Sequence, residues 1–282
     1  KFWKKFALIA LLCLLVSGQA LEVSRAQDPQ PAAPDAVWKG YLPIIKKRQP
    51  AVSITANPIF GVEMGSELDN KNDTGPVDMM ADAGASWVRY NGLLWSTVEP
   101  SLGQRKWDAA VDTRLSNASK FNLSTLLVVR STPAWAQKFS GYPCGPMKQE
   151  YFDEFANFMK DVVARYSQPP YNVLYYELWN EPDVSTAEAP TPDYPWGCWG
   201  DPTDTQYYGG AYYADMLKVV VPAMRQANPN VQVVVGGLLL YCNPNNPPSF
   251  SQCIQSKYLN GILANGGGPY FEGVSYHAYD YF

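Results

Sequence analysis

From Ile59 onward, short apolar runs alternate with longer stretches in which apolar residues return every three or four positions. The runs of four to eight residues predict strands at Ile59–Met64, Ser86–Tyr90, Ser124–Arg130, Val173–Trp179, Val231–Gly236 and Gly273–His277. The stretches between them predict helices at Pro76–Ala83, Asp108–Phe121, Glu150–Tyr166, Gln206–Ala227 and Ile254–Ala264, the fourth interrupted near Pro222. The third is the clearest: Phe152, Phe155, Phe158, Met159, Val162 and Val163 fall on one face. Strands alternating with helices imply right-handed βαβ units and a parallel sheet.

The strand Val173–Trp179 organises the rest. It is apolar and aromatic apart from Glu177, as suits a strand covered on both faces, and Pro182 ends its pairing. Asn180 and Glu181 are therefore expected at the C-terminal rim, where parallel α/β barrels build their active sites. A carboxyl there can protonate a leaving oxygen, and the amide beside it can hold a sugar hydroxyl. Trp179 is expected to wall the carboxyl. The competing reading is a surface turn that happens to spell Asn-Glu-Pro.

The expected fold is an α/β (β/α)8 TIM barrel, C-terminally truncated after about six strands, since eight βα units typically need ~250 residues. A doubly wound open sheet is the rival. It would bring a glycine-rich phosphate loop after its first strand, of which Gly61-Val-Glu-Met-Gly is a poor version.

The 46% hydrophobic content supports a large core, and a net charge of −4 argues against a nucleic-acid partner. Nine Trp and 19 Tyr suit both core packing and stacking on sugar rings. Residues 1–26 resemble a secretory leader: Lys1, Lys4 and Lys5 precede the apolar run Phe6–Val16, and Ser24-Arg25-Ala26 supplies small residues for cleavage. The expected location is extracellular, with no stable membrane insertion once the leader is removed; an uncleaved anchor is the alternative. Residues 27–58 are proline-rich and aperiodic and read as a linker or arm, leaving 59–282 as the barrel domain.

Four cysteines remain after the leader, an even number that suggests two disulfides in an exported chain. Of three possible pairings, Cys242–Cys253 with Cys144–Cys198 is preferred. No CxxC occurs and there is one His, so no zinc pattern is present and no cofactor is expected. Asn72, Asn117 and Asn122 begin glycosylation sequons.

Several rim segments together resemble the clan A glycoside hydrolases, closest in tone to families 39 and 5. They are Trp87-Val-Arg89-Tyr90, Trp95 to Glu99-Pro100, Gly103 with Trp107-Asp108, Thr132-Pro-Ala-Trp135, Glu177-Leu-Trp-Asn180-Glu181-Pro182 and Val274-Ser-Tyr-His277-Ala-Tyr279. The resemblance covers roughly residues 59 to 282. It implies a retaining enzyme acting on an oligo- or polysaccharide with β-linked sugars. Glu181 is then the general acid/base and Asn180 the ligand of the sugar 2-OH. Arg89 steadies the nucleophile, while His277 and Tyr279 line the same side. The clan's nucleophile is a Glu at the end of strand seven, which lies beyond this sequence. Trp95 and Trp135 are candidate sugar platforms; these two, with Trp196 and Trp199, stay open between packing and stacking. A barrel that binds carbohydrate without cleaving it is the alternative function.

Other carboxylates are weaker candidates. Glu177 lies about 13 Å from Glu181 at ~3.3 Å per residue, too far for a catalytic pair, and is expected in a buried ion pair, Arg89 being one partner. Glu63 closes the first strand and either touches substrate or serves a structural hydrogen bond. Asp183 and Asp280 are expected as loop residues or helix caps. No Gly-x-Ser-x-Gly elbow supports a serine hydrolase.

Overall fold

The computed structural model describes residues 59–64, 77–189, 197–239 and 256–277. Six strands form one parallel sheet in sequence order: β1 (Gly61–Met64), β2 (Trp87–Leu94), β3 (Ser124–Arg130), β4 (Tyr175–Leu178), β5 (Gln232–Leu238) and β6 (Gly273–Tyr276). Each strand pairs with the next, from Glu63 opposite Arg89 on β1–β2 to Val235 opposite Val274 on β5–β6. The helices are α1 (Val77–Asp82), α2 (Trp95–Val98), α3 (Ala109–Lys120), α4 (Phe152–Tyr166), α5 (Gly210–Ala227) and α6 (Ser256–Ala264). Six sequential parallel strands joined through helices make a half-barrel, as the alternation of patterns predicts. None of the described helices is long and apolar enough to cross a membrane.

Side chains alternate along each strand, so one face of the sheet packs on the helices and the other lines the concave interior. Val88, Tyr90, Leu93, Leu127, Val129, Tyr176 and Leu178 are buried on the helix side. Helix α4 meets them with the predicted stripe of Phe155, Phe158, Met159, Val162 and Val163, all fully buried. The concave face carries Arg89, Asn91, Arg130 and Glu177, joined by side-chain hydrogen bonds.

Several boundaries depart from the sequence pattern. β2 runs four residues beyond Tyr90, with a register shift between Tyr90 and Leu93 that the periodicity does not reveal. The interruption expected near Pro222 does not occur: α5 is continuous through it. Gln206–Gly209 lie outside that helix and turn around Asp204, which accepts from the backbone N–H groups of Gln206, Tyr207 and Gly209. Asn117 is buried within α3, which removes it as a glycan acceptor in the folded chain, whereas Asn122 is exposed at a turn. Asn72 lies outside the described residues.

Candidate active site

The site is built from an irregularity at the end of β4. Strict alternation would turn Trp179 toward the interior, following Glu177. Instead Trp179 has φ 72° and Glu181 φ 49°, left-handed values that non-glycine residues seldom adopt. The first reverses the alternation. The Trp179 indole joins Leu178 on the helix side, where it meets Phe155 and Trp199 and donates to the Cys144 carbonyl at 2.8 Å. The wall that Trp179 was expected to give the Glu181 carboxyl is thus turned to the helix layer. In exchange, both Asn180 and Glu181 make contacts on the concave side. Such strain persists only where the surroundings enforce it, and it concentrates at functional sites.

The surroundings are specific. Gly236 on β5 lies so close that a Cβ there would sit 1.9 Å from the Trp179 carbonyl oxygen, so the strand end closes only against a glycine. Tyr213 from α5 donates its hydroxyl to the Leu178 carbonyl at 2.5 Å, and burial pushes that hydroxyl far above the usual tyrosine range, keeping it a donor. Over the top, Cys144 and Cys198 form a disulfide, and the Cys198 and Trp199 N–H groups donate to the Cys144 and Pro182 carbonyls. The loops after β3 and β4 are therefore stapled above the Asn-Glu turn. This is one of the two predicted pairings; Cys242 and Cys253 lie outside the described residues.

Beneath the turn sits a charged network. Arg89 donates from Nε and Nη2 to Glu177 at 3.0 and 2.6 Å, from Nη1 to Glu63 at 2.6 Å, and from Nη2 to Asn180 Oδ1 at 2.7 Å. Burial alone would lower the Arg89 pKa, but Glu177 and Glu63 outweigh it and hold it above the ordinary value. Glu177, fully buried, also accepts from the Gly237 N–H at 2.9 Å. The predicted ion pair of Glu177 with Arg89 is present. Glu63 takes the structural option of its two readings, although half of its side chain stays exposed. Asn180 is thus held through its side-chain oxygen by Arg89.

Glu181 is 1% exposed and shares a 2.8 Å hydrogen bond between its Oε1 and His277 Nδ1 at the end of β6. The imidazole lies over Gly237, where a Cβ would fall 2.3 Å from Nε2. Residues 89, 180, 181 and 277, predicted from separate segments, are thus linked by hydrogen bonds through Glu177 and the β5 backbone.

Other candidates move. Trp95 is fully buried on the helix side against Trp135, Phe155 and Phe158 and donates to Glu99, so it has no face open to a sugar. Trp135 is half-buried, packs edge-on against Trp95 and Tyr151 and donates to the Glu99 carbonyl. Trp199 packs among Trp179, Tyr212 and Tyr213 and is core. Asp183 lies in the turn after β4, the loop position expected of it, but it is fully buried there and accepts from the Leu239 N–H at 3.1 Å, tying that turn to the end of β5. Tyr279, Trp196 and Asp280 lie outside the described residues. Among the described residues no group of three or more His, Cys, Asp or Glu side chains could hold a metal ion.

Arg130 is a further residue of this face that is not among the sequence candidates. It closes β3 and donates from Nε to Asn91 Oδ1 at 2.7 Å, within the concave face. An arginine directly after the apolar run Leu126–Val129 is the signal for it.

The sequence profile of the cellulases, glycosyl hydrolase family 5, matches residues 49–260. Among solved structures, the chain is similar to a family 39 glycoside hydrolase from the gut symbiont Bacteroides cellulosilyticus WH2, with TM-score 0.55 and 21% identity over 77% of this chain and 37% of that one. It is also similar to a β-galactosidase from the psychrophilic Marinomonas ef1, with TM-score 0.51 and 15% identity over 78% of this chain and 40% of that one. At these identities the likeness shows the fold alone. The chain spans about two fifths of the length of these structures. No curated protein matches it.

Proposed function

The chain belongs to the cellulase family, glycosyl hydrolase family 5, and from that premise we propose that it works as a secreted, retaining glycoside hydrolase on β-linked saccharides. The observation that carries the reading is the buried Glu181 carboxyl, held by His277 at 2.8 Å on the concave rim, beside an asparagine whose own oxygen is occupied by Arg89.

In the proposed first step Glu181 gives its proton to the glycosidic oxygen as the C1–O bond breaks. A strand-seven glutamate takes C1, forming a glycosyl ester with inversion. In the second step Glu181 removes a proton from water, the water oxygen attacks C1, and the ester carboxylate leaves. His277 fixes the rotamer of the Glu181 carboxyl. Asn180 Nδ2 holds the 2-OH, its amide orientation set by Arg89. Tyr279 joins this side of the site in the same reading. Export follows from the leader at residues 1–26.

In the intact protein, Glu181→Gln keeps a hydrogen-bonding partner for His277 but has no proton to give. Turnover of unactivated oligosaccharides should fall by roughly a hundredfold or more, and of 4-nitrophenyl glycosides by much less in the first step, because that leaving group departs without protonation. Equal turnover by variant and wild type on oligosaccharides overturns the assignment. Saccharide binding with no hydrolysis by the wild type supports a non-catalytic carbohydrate-binding barrel instead.

A further inference from the structure

Among the described residues two arginines line the concave face, and they are not equivalent. Arg89 is committed, with its donors on Glu177, Glu63 and Asn180. Among the described residues Arg130 makes one side-chain hydrogen bond, from Nε to Asn91 Oδ1, and no carboxylate pairs with it. Its two terminal NH2 groups remain for something else. Burial, with a smaller contribution from the Arg89 charge, pulls its pKa down to about 10, which still leaves the guanidinium charged at neutral pH.

Its place is at the site. Arg130 ends β3, and the Trp179 N–H donates to the carbonyl of the preceding residue, Val129, so Arg130 sits at the level of Trp179-Asn180 on the adjoining strand. Asn91, which holds it, lies in the irregular segment of β2 two residues past Arg89. The residue after it, Ser131, has φ 75°, a third strained non-glycine residue on this rim with Trp179 and Glu181. Ser131 is pinned there by Ser96 through both backbone and hydroxyl. A half-buried cation with no carboxylate partner among the described residues is unfavourable, since part of its hydration is lost with nothing to offset it. A fixed fork with both terminal amines unused suits a bidentate carboxylate.

We propose that Arg130 is a specificity residue of the sugar site, pairing its terminal amines with the carboxylate of a uronic acid unit in the substrate. This rests on the glycosidase reading above and names its substrate class. A carboxylate from elsewhere in the protein is the rival source of the same chemistry, and the test separates them.

The measurement is the ratio of kcat/KM for 4-nitrophenyl β-D-glucuronide to that for 4-nitrophenyl β-D-glucoside, in intact wild type, Arg130→Gln and Arg130→Lys. Loss of a charge-assisted pair should lower the ratio by roughly ten- to a hundredfold in Arg130→Gln, mainly through KM, with Arg130→Lys between. An unchanged ratio overturns the proposal. So does an equal fall for both substrates, which would mean that Arg130 holds a protein carboxylate. Should Arg130→Gln fail to fold, inhibition of wild type still decides: glucuronate should compete more strongly than glucose, and equal competition overturns the proposal. Should neither aryl glycoside be cleaved nor any β-linked oligosaccharide be hydrolysed, the glycosidase reading fails by itself. Quenching of tryptophan fluorescence by glucuronate against glucose then reads Arg130 independently, with no preference for glucuronate overturning it.

Discussion

The two faces of strands β2 to β4 are made from alternating residues of the same segments, yet they obey different rules. On the helix side Trp95, Phe155, Phe158 and Trp179 bury large rings in edge and tilted contacts. Each ring touches several others, so the stabilisation is spread over many weak contacts. On the concave side Arg89, Glu177, Asn180 and Glu63 form a few short, directional bonds. There each partner matters to the next, because a buried charge that loses a counter-charge is poorly compensated; without Glu177, Arg89 keeps only the half-exposed Glu63. The outer face builds the fold, and the inner face sets side-chain positions at some expense in stability.

That contrast can be broken most forcefully at Glu177. Glu177→Leu leaves the Arg89 guanidinium short of its main partner and loosens the arginine that holds Asn180. Stability should fall by about 3–5 kcal/mol, read as the urea midpoint, and activity in the intact protein should be lost. Adding Arg89→Met should restore part of the stability and none of the activity. If the double variant is less stable than Glu177→Leu, the charge-pair account of this face fails. A milder change on the other face sharpens the comparison. Phe155→Leu keeps an apolar side chain among Trp95, Phe158 and Trp179 and should cost about 1–2 kcal/mol. KM should be unaltered, since the ring touches no group of the concave face; a shift in KM would show that the two faces are coupled through Trp179.

The smallest effect belongs to neither face. Asp204 accepts from three backbone N–H groups before α5. Burial acts to raise its pKa, but those donors outweigh it and hold the group below the ordinary aspartate value. The folded state therefore favours the carboxylate. Its stabilisation is fully present above about pH 3.9 and is lost as pH falls through the lower folded value. Asp204→Asn should cost at most about 1 kcal/mol at pH 7, and the gap from wild type in urea unfolding should close in acid. A gap that persists unchanged there would assign the effect to packing instead.

The faces also differed in how far they could be read beforehand. Helix-side residues announce themselves by period: the α4 stripe and the apolar β3 run needed only hydrophobic spacing. The Glu177–Arg89 pair was legible because a lone carboxylate inside an apolar strand must find a cation. The fates of the tryptophans were not, since an indole serves core packing and sugar stacking equally well, and only the turn geometry puts Trp95 and Trp199 in the core. Nor does spacing show that Trp179 adopts a left-handed conformation, the feature that turns its indole outward and brings Asn180 and Glu181 to one side.

What the amino-acid order determined by itself was local and periodic: the alternation of strands and helices, the strand that stops at Asn-Glu-Pro, and the aromatic stripe of α4. Period and proline act within a few residues, so they are readable without neighbours. Tertiary structure alone decided which groups meet: His277 on Glu181 across 96 positions, Arg89 on Asn180 across 91, Cys144 on Cys198 across 54. Those meetings depend on strand register, on the close approach that Gly236 and Gly237 permit, and on one reversal of backbone handedness at Trp179. Each is a property of several segments at once, which no single stretch of sequence encodes.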